Sequence, residues 1–184
     1  MSLIAIACSA PKKQDEMQNA SQPSLNEQTV TLTNVNGLKA TITPYGGKVI
    51  GLWVPDKNGN LGDIVLGYDS ASQYPAGNPY FGALIGRYGN RIGKGQFTLD
   101  GTTYQLETNN GANALHGGPG GFHNVMWDVV EVKSNSIVLA YTSPDGEEGY
   151  PGTLQAKVIY TLTDNNELTI EYEATTDQPT IVNL

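Results

Sequence analysis

The sequence predicts an all-β domain, either a sandwich or a barrel of short antiparallel strands. From Gln28 onward the apolar residues recur with a period of two rather than 3.6, as in half-buried strands. Turn signals separate these runs every 8–12 residues, a spacing typical of such folds. The chain also holds 22 glycines and 10 prolines in 184 residues, which requires frequent turns.

The first strands are predicted before residue 55. Val30 and Leu32 alternate with threonines, and apolar residues at 38, 40 and 42 mark a return strand. Asn36-Gly37 between them is typical of a two-residue hairpin turn with positive φ at both positions. The continuous apolar run over 49–54 favours a buried strand.

Further strands follow along the chain, with one helix-like turn at residues 70–73. Asp100-Gly101 is a second clear hairpin signal. The remaining predicted strands cover residues 64–66, 96–99, 102–106, 127–133 and 137–142.

A C-terminal hairpin is the clearest strand pair in the sequence. Apolar residues alternate over 156–162 and again over 168–174, on either side of Asp164-Asn165-Asn166. Two strands of matching length with one apolar face each are expected to pack on a core. Residues 179–184 begin another strand pattern and break off inside it, so we expect a truncated domain whose hairpin faces need further cover.

Residues 1–27 differ from the domain at 28–184. A short apolar run precedes the single cysteine, Cys8, and a polar stretch rich in Ser, Gln and Asn follows it. This pattern resembles the cleavage box and tether of an exported bacterial lipoprotein, with Cys8 as the lipidation site in the periplasm or cell envelope. The alternative is an ordinary leader in which Cys8 has no role.

Composition excludes several partners. The net charge is −8 and the pI is near 4.6, without a basic stripe, so nucleic acid is not an expected ligand. One cysteine excludes a disulfide framework and a cysteine-rich zinc site, and the two histidines, His116 and His123, limit any His-based metal site. Nothing in the sequence indicates an oligomeric state.

Candidate chemistry lies in two glycine-rich segments, residues 86–97 and 109–129. Arg87 and Arg91 in the first are able to present guanidinium forks to oxygen ligands or to serve as structural ion-pair partners. In the second, Gly117-Gly118 is expected to leave room beside His116. His116 and His123 also admit a purely structural interpretation.

Other catalytic motifs are absent from the sequence. No Gly-Lys-Ser/Thr phosphate loop, Gly-x-Ser-x-Gly elbow or EF-hand spacing is present. The acidic residues 145–148 are therefore expected to form a solvated turn.

Taken together, these segments resemble aldose 1-epimerases, the galactose mutarotase family. The resemblance rests on NPYFGALIGRYGNRIGKGQFTLDG, LHGGPGGFHNVMWDV, SPDGEEGYPGTL and the closing PTIVNL, in that order. It implies a large antiparallel β-sandwich and the interconversion of α and β anomers of free hexoses such as galactose and glucose. It also implies that neither a metal nor an organic cofactor is needed.

The resemblance assigns roles to three residues. Asn90 and Arg91 match a pair that binds sugar hydroxyls, and His116 matches a histidine that contacts the sugar near its ring oxygen. The family's general acid follows an Asn-Leu-Thr-Asn-His run, and its general base is a later glutamate. Both fall beyond Leu184, so the 184 residues alone are expected to be inactive.

Two other interpretations compete with the enzyme. One is a non-catalytic carbohydrate-binding sandwich, and the other is an accessory domain of a glycoside hydrolase. A histidine and a glutamate in the sequence after Leu184 would favour the enzyme.

Overall fold

The computed structural model describes residue 24 and residues 28–77 and 79–184. The first six strands are β1 Val30–Thr33, β2 Lys39–Thr43, β3 Lys48–Pro55, β4 Leu61–Asp63, β5 Arg91–Ile92 and β6 Gln96–Leu99. The other six are β7 Thr102–Gln105, β8 Ala114–Leu115, β9 Asp128–Val132, β10 Ser136–Ser143, β11 Leu154–Leu162 and β12 Leu168–Thr176. Short 3₁₀ turns cover Ala71–Ala76, Gly93–Gly95, Phe122–Asn124 and Glu147–Gly149.

Two antiparallel four-stranded sheets face each other and form a sandwich. The first has the order β1-β2-β3-β4 and the second the order β12-β11-β10-β9. Their inner faces alternate with outer ones along each strand, and the inner side chains form a continuous buried core. Its members include Leu32, Ala40, Ile42, Ile137, Leu139, Leu154, Val158, Tyr160 and Leu162. The predicted antiparallel sandwich is thus confirmed.

Polar contacts fix the two sheets to each other at their edges. The Tyr160 hydroxyl donates to the Gly47 carbonyl at 2.6 Å, and the Asn34 side chain donates to the Thr163 carbonyl at 2.9 Å. Because both donors are at least partly buried, these bonds fix the register of one sheet on the other.

One of the predicted hairpin turns is confirmed and one is wrong. Asp100 and Gly101 both have positive φ, 50° and 79°, and join β6 directly to β7. Of Asn36 and Gly37, only Gly37 has positive φ, and five residues separate β1 from β2. The Asn34 side-chain oxygen accepts the backbone N–H groups of residues 36 and 38, so an Asx-type loop replaces the expected two-residue turn.

Two other strand predictions are wrong. The strand after the turn at 56–60 is Leu61–Asp63, whereas Ile64 and Leu66 are exposed and outside it. Near the end of the chain, only Asn183 forms a bridge, a parallel one to Tyr88. That segment follows residues 87–89 rather than starting a regular strand.

The C-terminal hairpin pairs as predicted, but its two strands are buried unequally. Val158 opposite Tyr172 and Tyr160 opposite Ile170 share one face. The β11 residues are 1% exposed, whereas Ile170 and Tyr172 are 40% and 43% exposed. The core therefore covers β11 fully and leaves the same face of β12 partly open. In the described residues, no helix is long and apolar enough to cross a lipid bilayer.

Candidate functional site

A two-residue ribbon, β5 with β8, places Asn90 beside His116. Arg91 pairs with Leu115 in an antiparallel register, so Asn90 faces His116. The His116 N–H donates to the Asn90 carbonyl at 2.9 Å, and the Asn90 N–H donates to Nδ1 of His116 at 3.0 Å. Both residues are left-handed, with φ of 64° and 54°, a conformation that non-glycine residues adopt only where the surroundings enforce it.

This geometry determines the tautomer of His116. Because Nδ1 accepts a backbone N–H, a neutral ring carries its proton on Nε2. Burial, and secondarily the positive charge of Arg91, lowers the pKa of His116 from its ordinary value. The imidazole is therefore neutral at pH 7 and offers one N–H donor from Nε2.

Arg91 is held by two asparagines. Its Nε donates to Oδ1 of Asn110 at 2.9 Å and its Nη1 to Oδ1 of Asn90 at 3.2 Å. These bonds orient the planar guanidinium and use two of its five N–H groups. The side chain is exposed, and its other donors are suited to hydroxyl oxygens.

The loop before β8 contains functional positions that sequence reasoning missed. Asn109 binds the backbone of Leu115 twice: Nδ2 donates to its carbonyl at 2.9 Å and Oδ1 accepts its N–H at 2.7 Å. Asn110 positions Arg91, as described above. The Asn109-Asn110-Gly111 run was a visible signal, because Asn side chains readily bond to nearby backbone.

Behind His116 lies a buried group of aromatic and basic side chains. The Tyr80 ring is 4.9 Å from both His116 and His123 by ring centroids. His123 is 2% exposed, and Lys48 is fully buried, with its ammonium donating to the His123 carbonyl. Burial lowers the pKa of Lys48 to about 8 and that of His123 to about 4. His123 thus occupies a structural position behind the ribbon.

The expected space beside Gly117 and Gly118 is already filled. A Cβ on Gly117 would lie 1.8 Å from the Gly86 carbonyl oxygen, and one on Gly118 would lie 2.2 Å from Oε2 of Glu148. The prediction that these glycines leave room for a ligand is therefore wrong. They permit close packing of the His116 loop on neighbouring chain segments.

The acidic residues 145–148 are only in part a solvated turn, because Asp145 and Gly146 are exposed whereas Glu147 and Glu148 are half-buried. Glu147 accepts hydrogen bonds from the hydroxyls of Tyr141, at 2.5 Å, and Ser143. Glu148 accepts the Gly120 N–H at 2.8 Å, and burial raises the pKa of this carboxyl. Glu147 thus fastens the 144–150 loop to β10, and Glu148 fastens it to the segment that follows His116.

Arg87 is a structural residue, but not through an ion pair. It is 2% exposed and donates to Oγ and the carbonyl of Ser143 and to the carbonyls of Pro144 and Pro151, at 2.8–3.0 Å. No ion pair involving Arg87 or Arg91 occurs among the described residues. Buried between two segments far apart in sequence, the guanidinium holds the 143–151 loop behind the site.

The structure thus brings Asn90, Arg91 and His116 together and sets His123 behind them. Within residue 24 and residues 28–77 and 79–184, no group of three His, Cys, Asp or Glu side chains could hold a metal ion. Cys8 lies outside the described residues.

Fold comparison places the chain among galactose mutarotase-like sandwiches. The GalM/aldose epimerase homologue from C. elegans superposes with a TM-score of 0.81 at 36% identity, over 84% of this chain and 47% of that one. Galactose 1-epimerase from Lactobacillus acidophilus NCFM gives a TM-score of 0.73 at 29% identity, over 84% and 46%.

The chain belongs to the aldose 1-epimerase family, whose family model matches residues 28–184. Galactose mutarotase from Bos taurus is 49% identical over 147 residues, which are 80% of this chain and 42% of the relative. Aldose 1-epimerase from Escherichia coli K12 is 39% identical over 155 residues, 84% and 45%. The chain therefore spans less than half the length of these relatives.

Proposed function

We propose that this chain forms part of an aldose 1-epimerase that interconverts the α and β anomers of free hexoses such as galactose. The observation that carries the proposal is the pair of hydrogen bonds between Asn90 and His116, which leaves Nε2–H of a neutral imidazole as a donor on the same ribbon as the oriented guanidinium of Arg91. The names of the relatives, galactose mutarotase and aldose 1-epimerase, support a free hexose as substrate.

In the proposed mechanism, Asn90 and Arg91 bind sugar hydroxyls, and His116 donates its Nε2–H toward the ring oxygen. A general acid protonates that oxygen while a general base removes the C1 hydroxyl proton, so the C1–O5 bond breaks and an aldehyde forms. Rotation about C1–C2 exposes the other carbonyl face. Reversal of the proton transfers then closes the ring as the opposite anomer.

The acid and the base are not among Asn90, Arg91 and His116. His116 has a lowered pKa and a backbone donor on Nδ1, so it is a hydrogen-bond donor rather than a strong acid. Family resemblance assigns both groups to sequence following Leu184. Asn183 already lies beside this ribbon, because its carbonyl accepts the Gly89 N–H at 2.8 Å.

Polarimetry on freshly dissolved α-galactose tests this proposal. The assay uses a protein in which this chain is extended to the full length of its aldose 1-epimerase relatives. His116→Ala is expected to lower the rate constant by about 100-fold or more, as for other positioned polar groups. His123→Gln is the matched control, and its catalysed rate should stay within a few-fold of wild type. An unchanged rate in His116→Ala would reject the role of His116, and no catalysis by wild type would reject the function.

We also propose that Cys8 carries a lipid that anchors an exported protein to the cell envelope. The support is the sequence around Cys8 and its polar tether. In cells producing the native precursor, the protein is expected in the membrane fraction, and Cys8→Ala should release it, because acyl chains supply the affinity. Native protein in the cytosol with an unmodified Cys8 would contradict the anchor.

A further inference from the structure

A second concave surface lies on the outer face of the first sheet. This groove has a volume of about 670 Å³ and is lined by Thr41, Trp53 and Asp63 on the strands and by Tyr68, Asp69 and Ser70 on the following loop. Its size is within the range of small-molecule sites. It shares no residue with the ribbon that carries His116.

Trp53 forms a flat apolar platform in this groove. Leu52 and Val54 pack against the core, so Trp53 between them points to the opposite face of β3. Its six-membered ring lies directly over Gly51, where a Cβ would come within 2.2 Å of the ring. The missing side chain at Gly51 lets the indole lie against the strand, and Trp53 lines the groove.

Carboxylates and hydroxyls surround the platform. Asp63 uses Oδ1 to accept the N–H groups of Leu52 and Val65, at 2.9 and 3.2 Å, which fixes the carboxylate in place. Asp69 is exposed at the loop. The Thr41 hydroxyl is within 2.8 Å of the Thr31 hydroxyl on the neighbouring strand.

We propose that this groove binds a neutral pyranose sugar at a second, non-catalytic site. A pyranose combines one apolar C–H face, suited to the indole, with a rim of hydroxyls that donate to Asp63 and Asp69. A purely apolar ligand would leave two carboxylates desolvated. A nucleotide would bring its phosphates to a groove that holds two negative charges.

The groove is also connected to the His116 site through packed aromatic side chains. Tyr68, which lines the groove, contacts Phe81 at 5.7 Å between ring centroids. The adjacent residue, Tyr80, contacts His116 at 4.9 Å. The dipeptide Tyr80-Phe81 therefore touches both surfaces.

The test is binding of methyl β-D-glucopyranoside and cellotriose to the full 184-residue chain. Trp127, the other tryptophan, is 3% exposed, so a sugar-dependent change in tryptophan emission reports on Trp53. By calorimetry, Trp53→Ala is expected to weaken binding about tenfold or more, and Asp69→Asn by several-fold. Tyr172→Ala, which changes an exposed aromatic on the second sheet, should bind as wild type does.

Gly51→Ala tests the platform without removing the indole. Its Cβ displaces the ring from the strand, so binding should weaken although the tryptophan remains, and thermal melts establish that each variant is folded. Equal affinity in folded Trp53→Ala or Gly51→Ala and wild type would overturn the proposal. So would lost binding in Tyr172→Ala, which would place the sugar on the second sheet, or glucosamine binding more than tenfold tighter than glucose, which would indicate a cation site.

Discussion

Mild acid is expected to destabilise this protein through His123. The ring is 2% exposed and is therefore shielded from water. Burial, the Lys48 ammonium and the His116 imidazole all disfavour its protonation and lower its pKa from 6.5 to about 4.

The sign and size of the effect follow from these two values. Below pH 6.5 the unfolded chain binds a proton at His123 that the folded chain rejects, so the free energy of unfolding falls as the pH falls. At pH 5 the unfolded His123 is almost fully protonated and the folded one is mostly neutral. The expected loss between pH 7 and pH 5 is about 2 kcal/mol, and it approaches 3 kcal/mol at pH 4.

Urea unfolding at pH 7 and pH 5 measures this loss in wild type and in His123→Gln. The variant cannot titrate at this position, while His116 and Glu148 remain in both chains and cancel in the difference. The wild-type free energy should therefore fall by about 2 kcal/mol more than that of the variant. A pH dependence that is the same in both chains would refute the assignment of a buried, neutral His123.

Three further changes test packing around the site by urea unfolding. Arg87→Met removes the hydrogen bonds from the guanidinium to the carbonyls of Ser143, Pro144 and Pro151 and should cost about 3 kcal/mol or more. Gly117→Ala places a Cβ 1.8 Å from a carbonyl oxygen and should cost about 2–5 kcal/mol, whereas Gly101→Ala, also left-handed but in open space, should cost about 1–2 kcal/mol. Asn109→Ala removes two hydrogen bonds to Leu115 and should cost about 1–2 kcal/mol.

Each of these predictions has a contrary outcome. A fully stable Arg87→Met would show that the loop carbonyls reach water. Equal losses in Gly117→Ala and Gly101→Ala would show that the conformation, not the contact with Gly86, sets the cost. An unchanged free energy of unfolding in Asn109→Ala would show that the loop before β8 does not stabilise the ribbon.

The sheets were largely predictable because most of their strands carry a period-two signal. Residues 156–162 and 168–174 alternate so regularly that the pairing of these two strands followed from sequence. The loop at Asn36-Gly37 was misread because a side chain outside the turn, that of Asn34, captured the backbone N–H groups. Local turn statistics do not include such a competitor.

The site was only partly predictable, because its contacts join distant segments. Asn90, Arg91 and His116 were identified by resemblance. No local pattern indicates that the His116 N–H donates to the Asn90 carbonyl. Glu148 appeared solvated because its neighbours are polar, although Gly118 and Gly120 pack against it in space. Long-range packing of this kind is invisible to a reading along the chain.

The division of the core between two sheets also delays the burial of the first sheet during synthesis. The first sheet ends at Asp63, but the strands that cover its inner face, β10 and β11, lie at 136–162. At about 5–20 residues per second, a ribosome needs roughly 5–20 s to add the intervening hundred or so residues. During every round of synthesis the first sheet must therefore wait in the cell with its apolar side uncovered. This delay makes the nascent chain a natural client for chaperones that shield apolar surface.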